Sequence, residues 1–437
     1  MNGTVSIVTL GCKTNQFESA AMSEKLRTAG FRQVDFEEGA ELVIVNTCTV
    51  TAATDAQSRN LIRRARRVNP NARVVVTGCY AQIDPQALAN LPGVALVIGN
   101  EEKQDFLARL TALDDSTTAI QVSEIRQQEL AAPLSLSSFE QRSRAFVQIQ
   151  NGCDAFCSYC IIPYARGRSR SVPLSDVVDQ VERLGASGYP EVVLTGIHIG
   201  SYGQDLQPPI DLLVLLQAIG KSKFSGRMRL GSIEPTEIPS ALRDFCAATD
   251  WICPHWHIPL QAGEEEILQR MNRHYSTTFF RELLSDIRSR QPDAAIGLDV
   301  ITGFPGETEE QHVKTLKFLA NLPFTHLHVF PFSKRPGTPA AEMSGQIPGD
   351  VIKHRAAQLR ELGERKLTEF ARSFIGRDLE VIIEGGENDG RGKGLSENYL
   401  NVSLPAIGLV QGDCRQVRIV EEQDGVLIGD LEKAVSY

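Results

Sequence analysis

Apolar and polar positions repeat one arrangement three times near the start of the chain. The runs VSIVTLGC, LVIVNTC and RVVVTGC are rich in β-branched residues, and each ends in a cysteine. Between them, segments 16–29 and 54–68 have the spacing of helices. Strands and helices that alternate about every 30 residues are typical of a parallel sheet. Because the runs are apolar on both faces, we predict an α/β fold here, with an open parallel sheet domain over residues 1–115.

The same alternation returns in the middle of the chain. Apolar runs such as EVVLTGIHIG, MRLGSIEP, WHIPLQAG, AAIGLDVITGFPGET and HLHVFPF each lead into a polar or Gly/Pro-rich loop. Helical stretches such as PLSDVVDQVERLGASG separate them. The pattern predicts a (β/α) barrel, complete or partial, over residues 139–372. Functional groups of such barrels lie at the C-terminal ends of the strands.

Two further segments complete the predicted organisation. Residues 116–138 show little periodicity, and we interpret them as a linker. Residues 373–437 alternate short apolar strands with Gly-rich turns, which predicts a small five-stranded OB-like β-barrel. Such barrels often bind nucleic acid, although this one has more acidic than basic residues.

Composition narrows the class of protein. Hydrophobic residues make up 42% of the chain and charged residues 23%, as in ordinary globular proteins. The beginning, MNGTVSIVTLGC, does not resemble a signal peptide, and no apolar run approaches the roughly 18–20 residues that span a bilayer. We therefore expect a cytoplasmic protein with no membrane partner. In that compartment its nine cysteines favour metal or redox chemistry over disulfides.

The net charge of −9 argues against a protein that coats nucleic acid. It leaves room for a local basic patch, because charges more than about 8 Å apart are screened at physiological salt.

Cys12, Cys48 and Cys79 end the three N-terminal strands. Ligands of open parallel sheets bind beyond the carboxyl ends of the strands, so we expect these cysteines to converge there. Three thiolates can hold a [4Fe–4S] cluster and leave one iron without a protein ligand. Alternatively, cysteines near strand ends are small core residues.

A second group of cysteines occurs in NGCDAFCSYC, on the loop after the first barrel strand. Cys153, Cys157 and Cys160 have the spacing CxxxCxxC, and no fourth cysteine follows closely. One alternative is a zinc site that His198 or His257 completes. The other cysteines are predicted to be core residues: Cys246, Cys253 and Cys414.

CxxxCxxC in this position resembles the radical S-adenosylmethionine (SAM) superfamily. In that superfamily the amino and carboxylate groups of SAM chelate the iron that lacks a protein ligand, and reductive cleavage gives a deoxyadenosyl radical. The resemblance implies SAM contacts from loops at the strand ends. Tyr159 and Gly303 would border the adenine. The other implied SAM contacts, to the amino group, the ribose and methionine end, and the cofactor or substrate, are Thr195, Gly196, Ser232, Glu234 and Gln261.

Residues 3–433 as a whole resemble the methylthiotransferases, which would make the C-terminal barrel a TRAM domain. The resemblance implies an auxiliary [4Fe–4S] cluster on Cys12, Cys48 and Cys79 that presents sulfur at its open iron. One SAM methylates that sulfur and a second supplies the radical, so that CH3S is installed on an unactivated C–H bond. It also implies an electron donor of the flavodoxin or ferredoxin type and a source of sulfur.

TLGCKTNQFES and NGCDAFCSYCIIPYARG resemble the methylthiotransferase subgroup that acts on C2 of threonylcarbamoyladenosine, at position 37 of tRNA beside the anticodon. Where this chain has GCKTN, the isopentenyladenosine subgroup has Gly-Cys-Gln-Met-Asn and the ribosomal-protein subgroup Gly-Cys-Pro-Lys-Asn. ARGRSRS departs from the expected Pro-Val-Arg-Ser after Gly167. The alternatives are therefore isopentenyladenosine or a protein side chain as substrate, or an RNA-binding iron–sulfur protein without catalysis.

Basic residues indicate where tRNA would bind. In RNLIRRARRV, four arginines fall on one helical face and apolar residues on the other, which suits either a phosphate backbone or solvent. A second patch follows the CxxxCxxC motif, and Asn398 and Tyr399 could contact the modified base. Tyr399 could equally pack beneath the sheet. The predicted RNA contacts are Arg59, Arg63, Arg66, Arg67, Arg166, Arg168, Asn398 and Tyr399, with Arg170 beside them.

Overall fold

Three structural units follow one another along the chain. The structure is a computed structural model that describes residues 3–112, 118–128, 131, 134–139, 142–386, 390–406 and 408–431. Within these residues, no helix is both long enough and apolar enough to cross a membrane.

The N-terminal unit is an open sheet of six parallel strands in the order β2-β1-β3-β4-β5-β6, as the apolar runs predict. Helices cover both faces, and each face has its own apolar cluster. The strands are β1 Thr4–Thr9, β2 Arg32–Gln33, β3 Leu42–Thr47, β4 Arg73–Gly78, β5 Val94–Ile98 and β6 Ala119–Gln121. The helices are α1 Lys13–Thr28, α2 Ala52–Val68, α3 Cys79–Ile83, α4 Pro85–Ala89 and α5 Phe106–Thr111.

Part of the predicted linker belongs to this sheet. Residues 119–121 form β6, which pairs in parallel with β5, so the prediction that 116–138 is only a connector is wrong there. A strand of three residues is too short to show a period, and it forms because β5 offers an unpaired edge. Residues 113–117, 129–130 and 132–133, also within or beside the predicted linker, lie outside the described residues.

The central unit is a partial parallel (β/α) barrel. Two three-stranded sheets, β7-β10-β11 and β12-β13-β14, join through isolated bridges from Met228 to Ile252 and from Ser232 to His257. The strands are β7 Ala145–Gln148, β8 Gln150–Asn151, β9 Arg170–Ser171, β10 Glu191–Thr195, β11 Arg227–Leu230, β12 His255–His257, β13 Ala295–Thr302 and β14 His326–Pro331. The helices are α6 Ile162–Arg166, α7 Leu174–Ala186, α8 Leu212–Gly220, α9 Ser240–Ala247, α10 Glu265–Arg270, α11 Thr277–Arg290, α12 Glu309–Ala320, α13 Pro339–Glu342 and α14 Gly349–Arg372.

The N-terminal unit contacts both edges of this open barrel. Helix α1 packs against β7 at one edge. At the other edge, the loop after β14 bonds to the start of α2: Ser333 Oγ accepts from the Ala52 N–H at 3.0 Å, and Arg335 bonds to Asp55 and Thr49 at 2.6 Å each. The carboxyl edge of the N-terminal sheet is thereby held beside the barrel.

The C-terminal unit is a closed barrel of five strands, as predicted. It lies at the N-terminal ends of the central strands, where Arg227 of β11 donates to the carbonyl of Leu395 and Arg229 donates to that of Glu397. This position makes it the floor of the central barrel, on the side opposite the CxxxCxxC loop. Its strands are β15 Asp378–Gly386, β16 Arg391–Ser396, β17 Asn401–Pro405, β18 Cys414–Gln423 and β19 Val426–Asp430.

Candidate functional site

Three neighbouring strands of the N-terminal sheet lead into a cysteine at the same edge. Cys48 directly follows β3, Cys79 directly follows β4, and Cys12 caps helix α1 after β1. Gly11 lets Cys48 approach, because a Cβ at this position would lie 2.7 Å from the Cβ of Cys48. Burial, and then the neighbouring Cys79 and Cys12, raise the pKa of Cys48 to about 11. The prediction that the three cysteines converge is confirmed.

Arg166 supplies positive charge to this group of sulfurs. Its Nε donates to Sγ of Cys79 at 3.2 Å, and its other nitrogens bond to Glu18 at 2.7 Å and Asn15 at 2.5 Å. The side chain is 0% exposed, so the prediction that Arg166 contacts RNA is wrong. An arginine that follows a cysteine motif looks like a surface charge in sequence, and only the packing of α6 against α3 buries it.

The second cysteine group lies on the loop after β7. Pairing of β8 with β9 closes this loop. Only glycine fits at position 152, because φ is positive at 76° and a Cβ would lie 1.8 Å from the carbonyl oxygen of Arg168. Two of its sulfurs accept hydrogen bonds, Cys153 from the Ala155 N–H and Cys157 from Arg273, each at 3.4 Å. Burial, followed by Cys157, raises the pKa of Cys160 to about 12.

Arg273 is a site residue that the sequence did not reveal. Besides its bond to Cys157, it ion-pairs with Glu234, with one nitrogen 3.1 Å from Oε1. It therefore connects the cysteine loop to a residue that the resemblance assigns to SAM. Because 116 residues separate it from Cys157, no local motif could have indicated this contact.

Neither cysteine group, as the structure describes it, brings three ligand atoms within 4.8 Å of one another. A tetrahedral zinc with bonds of about 2.3 Å brings its sulfur ligands to about 3.8 Å from one another. Within the described residues, one set of three ligand atoms lies within 4.8 Å, and it contains no cysteine. Although His198 Nδ1 is 3.4 Å from Cys153 Sγ, no third ligand joins them at that range. The three sulfurs of each group remain candidate ligands of a multi-iron cluster.

A cavity of about 190 Å³ lies between the second cysteine group and the segment that follows Cys48. Val50 and Thr51, which follow Cys48, line one side, and Tyr159 and Cys160 line the other. The remaining wall comes from the C-terminal ends of the barrel strands, and its residues include Gln261, Asp299, Ile301 and Phe330. A molecule in this cavity would contact Cys160 and the residues that follow Cys48.

The residues that the resemblance assigns to SAM occupy the expected end of the barrel. Tyr159 and Gln261 line the cavity, Thr195 ends β10, and a Cβ on Gly196 would come 2.9 Å from the carbonyl oxygen of Gln150. The hydroxyl of Ser232 is 2.5 Å from His257 Nδ1.

Gly303 differs from this arrangement. Its N–H already donates to Glu307 at 2.7 Å, and a Cβ would lie 2.4 Å from Ile352 of α14. The predicted adenine contact would have to use its carbonyl group.

His257, Asp299 and His328 form a cluster that the sequence reading missed. Asp299 Oδ1 lies 2.9 Å from His257 Nε2 and 3.1 Å from His328 Nδ1. Burial opposes ionisation of Asp299, but these two hydrogen bonds hold its pKa well below the usual value. The residues lie on the neighbouring strands β12, β13 and β14, and the pairing of these strands brings them together. Asp299 also lines the cavity.

The four predicted RNA-binding arginines of α2 differ in their surroundings. Arg59 donates to the Tyr80 hydroxyl at 2.7 Å, and Arg66 donates to the Ala72 carbonyl at 3.2 Å, so these two are used within the domain. Arg63 and Arg67 are exposed. Arg168, beyond the cysteine loop, is also exposed, whereas Arg170 is buried and pairs with Glu101 at 3.3 Å.

Asn398 is buried, and Tyr399 lies at the floor of the central barrel. Asn398 is 1% exposed and bonds to Ser396, so its predicted contact with a base is wrong. The Tyr399 ring packs 4.4 Å from His255 in the central barrel, so neither surface stacking nor packing beneath its own sheet is correct. Of the predicted core cysteines, Cys246 and Cys253 are buried, but Cys414 is exposed.

Comparison with known proteins agrees with this architecture. Residues 4–99 match the model of "Uncharacterized protein family UPF0004", and residues 147–319 match that of the Radical SAM superfamily. The chain is 37% identical to threonylcarbamoyladenosine tRNA methylthiotransferase MtaB of Bacillus subtilis (strain 168) over 423 residues, 96% of this chain and 94% of that protein. It is 38% identical to the protein of the same name from Rickettsia prowazekii (strain Madrid E), with 96% of each chain covered.

More distant comparisons agree as well. The chain is 32% identical to tRNA-2-methylthio-N(6)-dimethylallyladenosine synthase of Clostridium perfringens, with 97% of each chain covered. Among solved structures, the radical SAM methyltransferase TsrM of Kitasatospora setae shares the fold, with a TM-score of 0.56, 20% identity and 78% and 77% of the two chains covered. The chain therefore belongs to the radical SAM methylthiotransferase family, and SAM and [4Fe–4S] clusters are its cofactors.

Proposed function

We propose that this enzyme installs a methylthio group on C2 of threonylcarbamoyladenosine at position 37 of tRNA. The observation that carries the proposal is the cavity that Cys160 of the second cysteine group lines together with Val50 and Thr51, which follow Cys48 of the first. The motif TLGCKTNQFES and the two relatives named for threonylcarbamoyladenosine support this substrate over isopentenyladenosine. A tRNA substrate in turn implies that the enzyme works in the cytoplasm.

Each cysteine group would hold one [4Fe–4S] cluster. Cys12, Cys48 and Cys79 would bind the auxiliary cluster, and the second would lie on Cys153, Cys157 and Cys160. The donor sets fit, because each group offers three sulfurs and an arginine that donates to one of them. When bound, the cofactors supply a deoxyadenosyl radical and a methylated sulfur.

The chain's own residues would bind and orient the reactants. Tyr159 and Gln261 line the cavity beside the second cysteine group, and we assign them to SAM together with Thr195, Gly196, Ser232 and Glu234. Arg273 would hold Glu234 in position through its ion pair. The apolar part of the cavity wall, with Ile301 and Phe330, would exclude water from the radical step.

Partners follow from the same chemistry. A radical SAM reaction consumes an electron, so a donor of the flavodoxin or ferredoxin type is required, and the transferred sulfur must be replaced from an external source. Of the predicted RNA contacts, the exposed arginines available for the phosphate backbone are Arg63 and Arg67 of α2 and Arg168.

The test is mass spectrometry of tRNA nucleosides from cells that lack this gene. We expect 2-methylthio-threonylcarbamoyladenosine to disappear while threonylcarbamoyladenosine accumulates, and a gene copy to restore the product. Loss of 2-methylthio-isopentenyladenosine instead would favour the second candidate substrate. Unchanged tRNA nucleosides would remove tRNA as the substrate.

A further inference from the structure

Lys13 extends into the central barrel from the N-terminal unit. It directly follows Cys12 and begins α1, and its side chain is half-buried. The ammonium nitrogen lies 5.9 Å from the centre of the Tyr399 ring, which stands on the C-terminal unit at the floor of the barrel. One lysine thus links the auxiliary cysteine group to the inside of the barrel.

The charges of the barrel floor leave this ammonium without an acidic partner. Glu191 is the acid that acts on Lys13, but Arg144, Arg227 and Arg229 all pair with it, at 3.4, 2.7 and 2.8 Å. No carboxylate of the described residues forms an ion pair with Lys13 itself. A half-buried cation without a counter-ion is costly, so an anionic ligand would be favoured here.

The neighbouring side chains add polar but uncharged groups. Burial lowers the pKa of His255 well below its usual value and that of His326 to about 4, so both rings are neutral near pH 7. Nδ1 of His255, a residue 6% exposed, is buried without a hydrogen-bond partner in the described chain. The floor can therefore bind one negative charge and also hydrogen-bond to a polar group.

A row of residues on β14 leads from the cavity to this floor. Phe330 lines the cavity, and His328 and His326 follow at every second position, on the same face of the strand. The His326 ring is 5.9 Å from that of Tyr399, beside Lys13. From the adenine N6 to a threonylcarbamoyl carboxylate oxygen there are five bonds, a reach of about 6 Å. Phe330 and His326 are about 13 Å apart along the strand, but Asp299, which also lines the cavity, contacts His328, only about 7 Å from His326. A base at the level of Asp299 could therefore extend that arm towards His326.

We propose that Lys13 binds the carboxylate of the threonylcarbamoyl group and thereby selects this nucleoside over adenosines with an apolar N6 substituent. The inference rests on the proposed function. An anion held on the auxiliary cluster is the competing partner, because Lys13 adjoins Cys12. If Lys13 binds the threonylcarbamoyl carboxylate, the preference of the enzyme for a charged N6 arm depends on Lys13. If Lys13 binds an anion on the auxiliary cluster, that preference does not depend on it.

The test uses the holoenzyme and three otherwise identical tRNA anticodon stem-loops. Their target adenosine carries threonylcarbamoyl, the same group with its carboxylate converted to the neutral amide, or isopentenyl. The variants are K13Q, which introduces the glutamine of the isopentenyl subgroup, K13R, and K25Q as a matched control at the far end of α1. The measured quantities are kcat/KM for methylthiolation and deoxyadenosine formation without RNA.

We expect the wild type and K25Q to favour the acid over the amide by roughly 10- to 100-fold, the usual value of a charged hydrogen bond. K13Q should remove this preference, K13R should keep part of it, and deoxyadenosine formation without RNA should change little. An unchanged acid-to-amide ratio in K13Q, or an equal loss on both substrates, would overturn the role of Lys13. A wild type active only on the isopentenyl stem-loop would overturn the proposed function instead.

Discussion

Arg166 of the central unit donates a hydrogen bond to Cys79 of the N-terminal unit, with 3.2 Å between Nε and Sγ. The same guanidinium pairs with Glu18, which Lys103 contacts at 2.5 Å. Because all three charged side chains are buried, each charge requires an opposite charge close by. Two cations against one carboxylate leave a positive excess beside the cysteines, which suits thiolate ligands.

Glu18 should make the stability of the chain depend on acid pH. Burial alone would raise its pKa, but Arg166 and Lys103 outweigh burial and lower it to about 2. A lowered pKa stabilises the fold above the unfolded value of about 4.5, and this contribution is lost as the pH falls towards 2. Glu18 contributes about 3 kcal/mol to the free energy of unfolding at pH 7, and about 1 kcal/mol of this contribution is lost by pH 4.

The measurement is urea unfolding under anaerobic conditions at pH 7, 5 and 4. Glu18→Gln should be less stable than the wild type at pH 7, because it leaves Arg166 and Lys103 uncompensated, but it should show the weaker decline with acid. Parallel pH profiles for the two proteins would contradict this role of Glu18.

Removal of each cysteine group should separate the two half-reactions. With alanine at Cys12, Cys48 and Cys79, we expect loss of about four of about eight irons, retained SAM cleavage to deoxyadenosine and no methylthio product. With alanine at the other three cysteines, SAM cleavage should stop as well. Iron analysis and deoxyadenosine quantification check this. A C246A variant is the control, since that buried cysteine lies in the barrel core. Full iron content in either triple variant would refute the assignment.

The interface at the edge of β14 should matter for transfer and not for SAM cleavage. Arg335 bonds to Asp55 and to Thr49, the residue after Cys48. Its removal leaves a buried carboxylate unpaired, at a cost of about 3–5 kcal/mol. We expect Arg335→Ala to lower methylthiolation at least about 10-fold and to leave RNA-independent deoxyadenosine formation within about 3-fold, because the separation between the two cysteine groups changes.

Arg377→Ala is the matched control for Arg335→Ala. Arg377 also forms an ion pair between units, with Asp293, but that pair is exposed and worth at most about 1 kcal/mol. Equal losses of both activities in Arg335→Ala would show general destabilisation instead of a change in geometry.

The arginines of α2 should differ in their effect on tRNA binding. Arg63→Gln and Arg67→Gln should each weaken binding and reduce the slope of log K against log salt by about 1, as expected for a phosphate contact. Arg64→Gln is the control on the same helix, because Arg64 pairs with Glu37 at 2.6 Å. Binding isotherms at several salt concentrations measure the slope. Slopes equal to that of Arg64→Gln would mean that α2 does not contact the backbone.

Much of the fold and the position of both cysteine groups could be read from local pattern. The apolar runs before Cys12, Cys48 and Cys79 predict neighbouring parallel strands, and parallel strands must bring their carboxyl ends to one edge. Cys153, Cys157 and Cys160 directly follow the first predicted barrel strand, which places them on the loop at its carboxyl end. Such conclusions need only the period of a strand and the direction of the chain, both of which are properties of contiguous residues.

The contacts between units were decided by the tertiary structure alone. Arg166 was predicted to bind RNA and is buried against Cys79, and Tyr399 was predicted to meet a base or its own sheet and instead closes the barrel floor. Arg273 and the cluster around Asp299 gave no local signal at all. Burial and pairing depend on which distant element packs against a residue. A charged or aromatic side chain has the same local sequence pattern whether it faces solvent or a neighbouring unit.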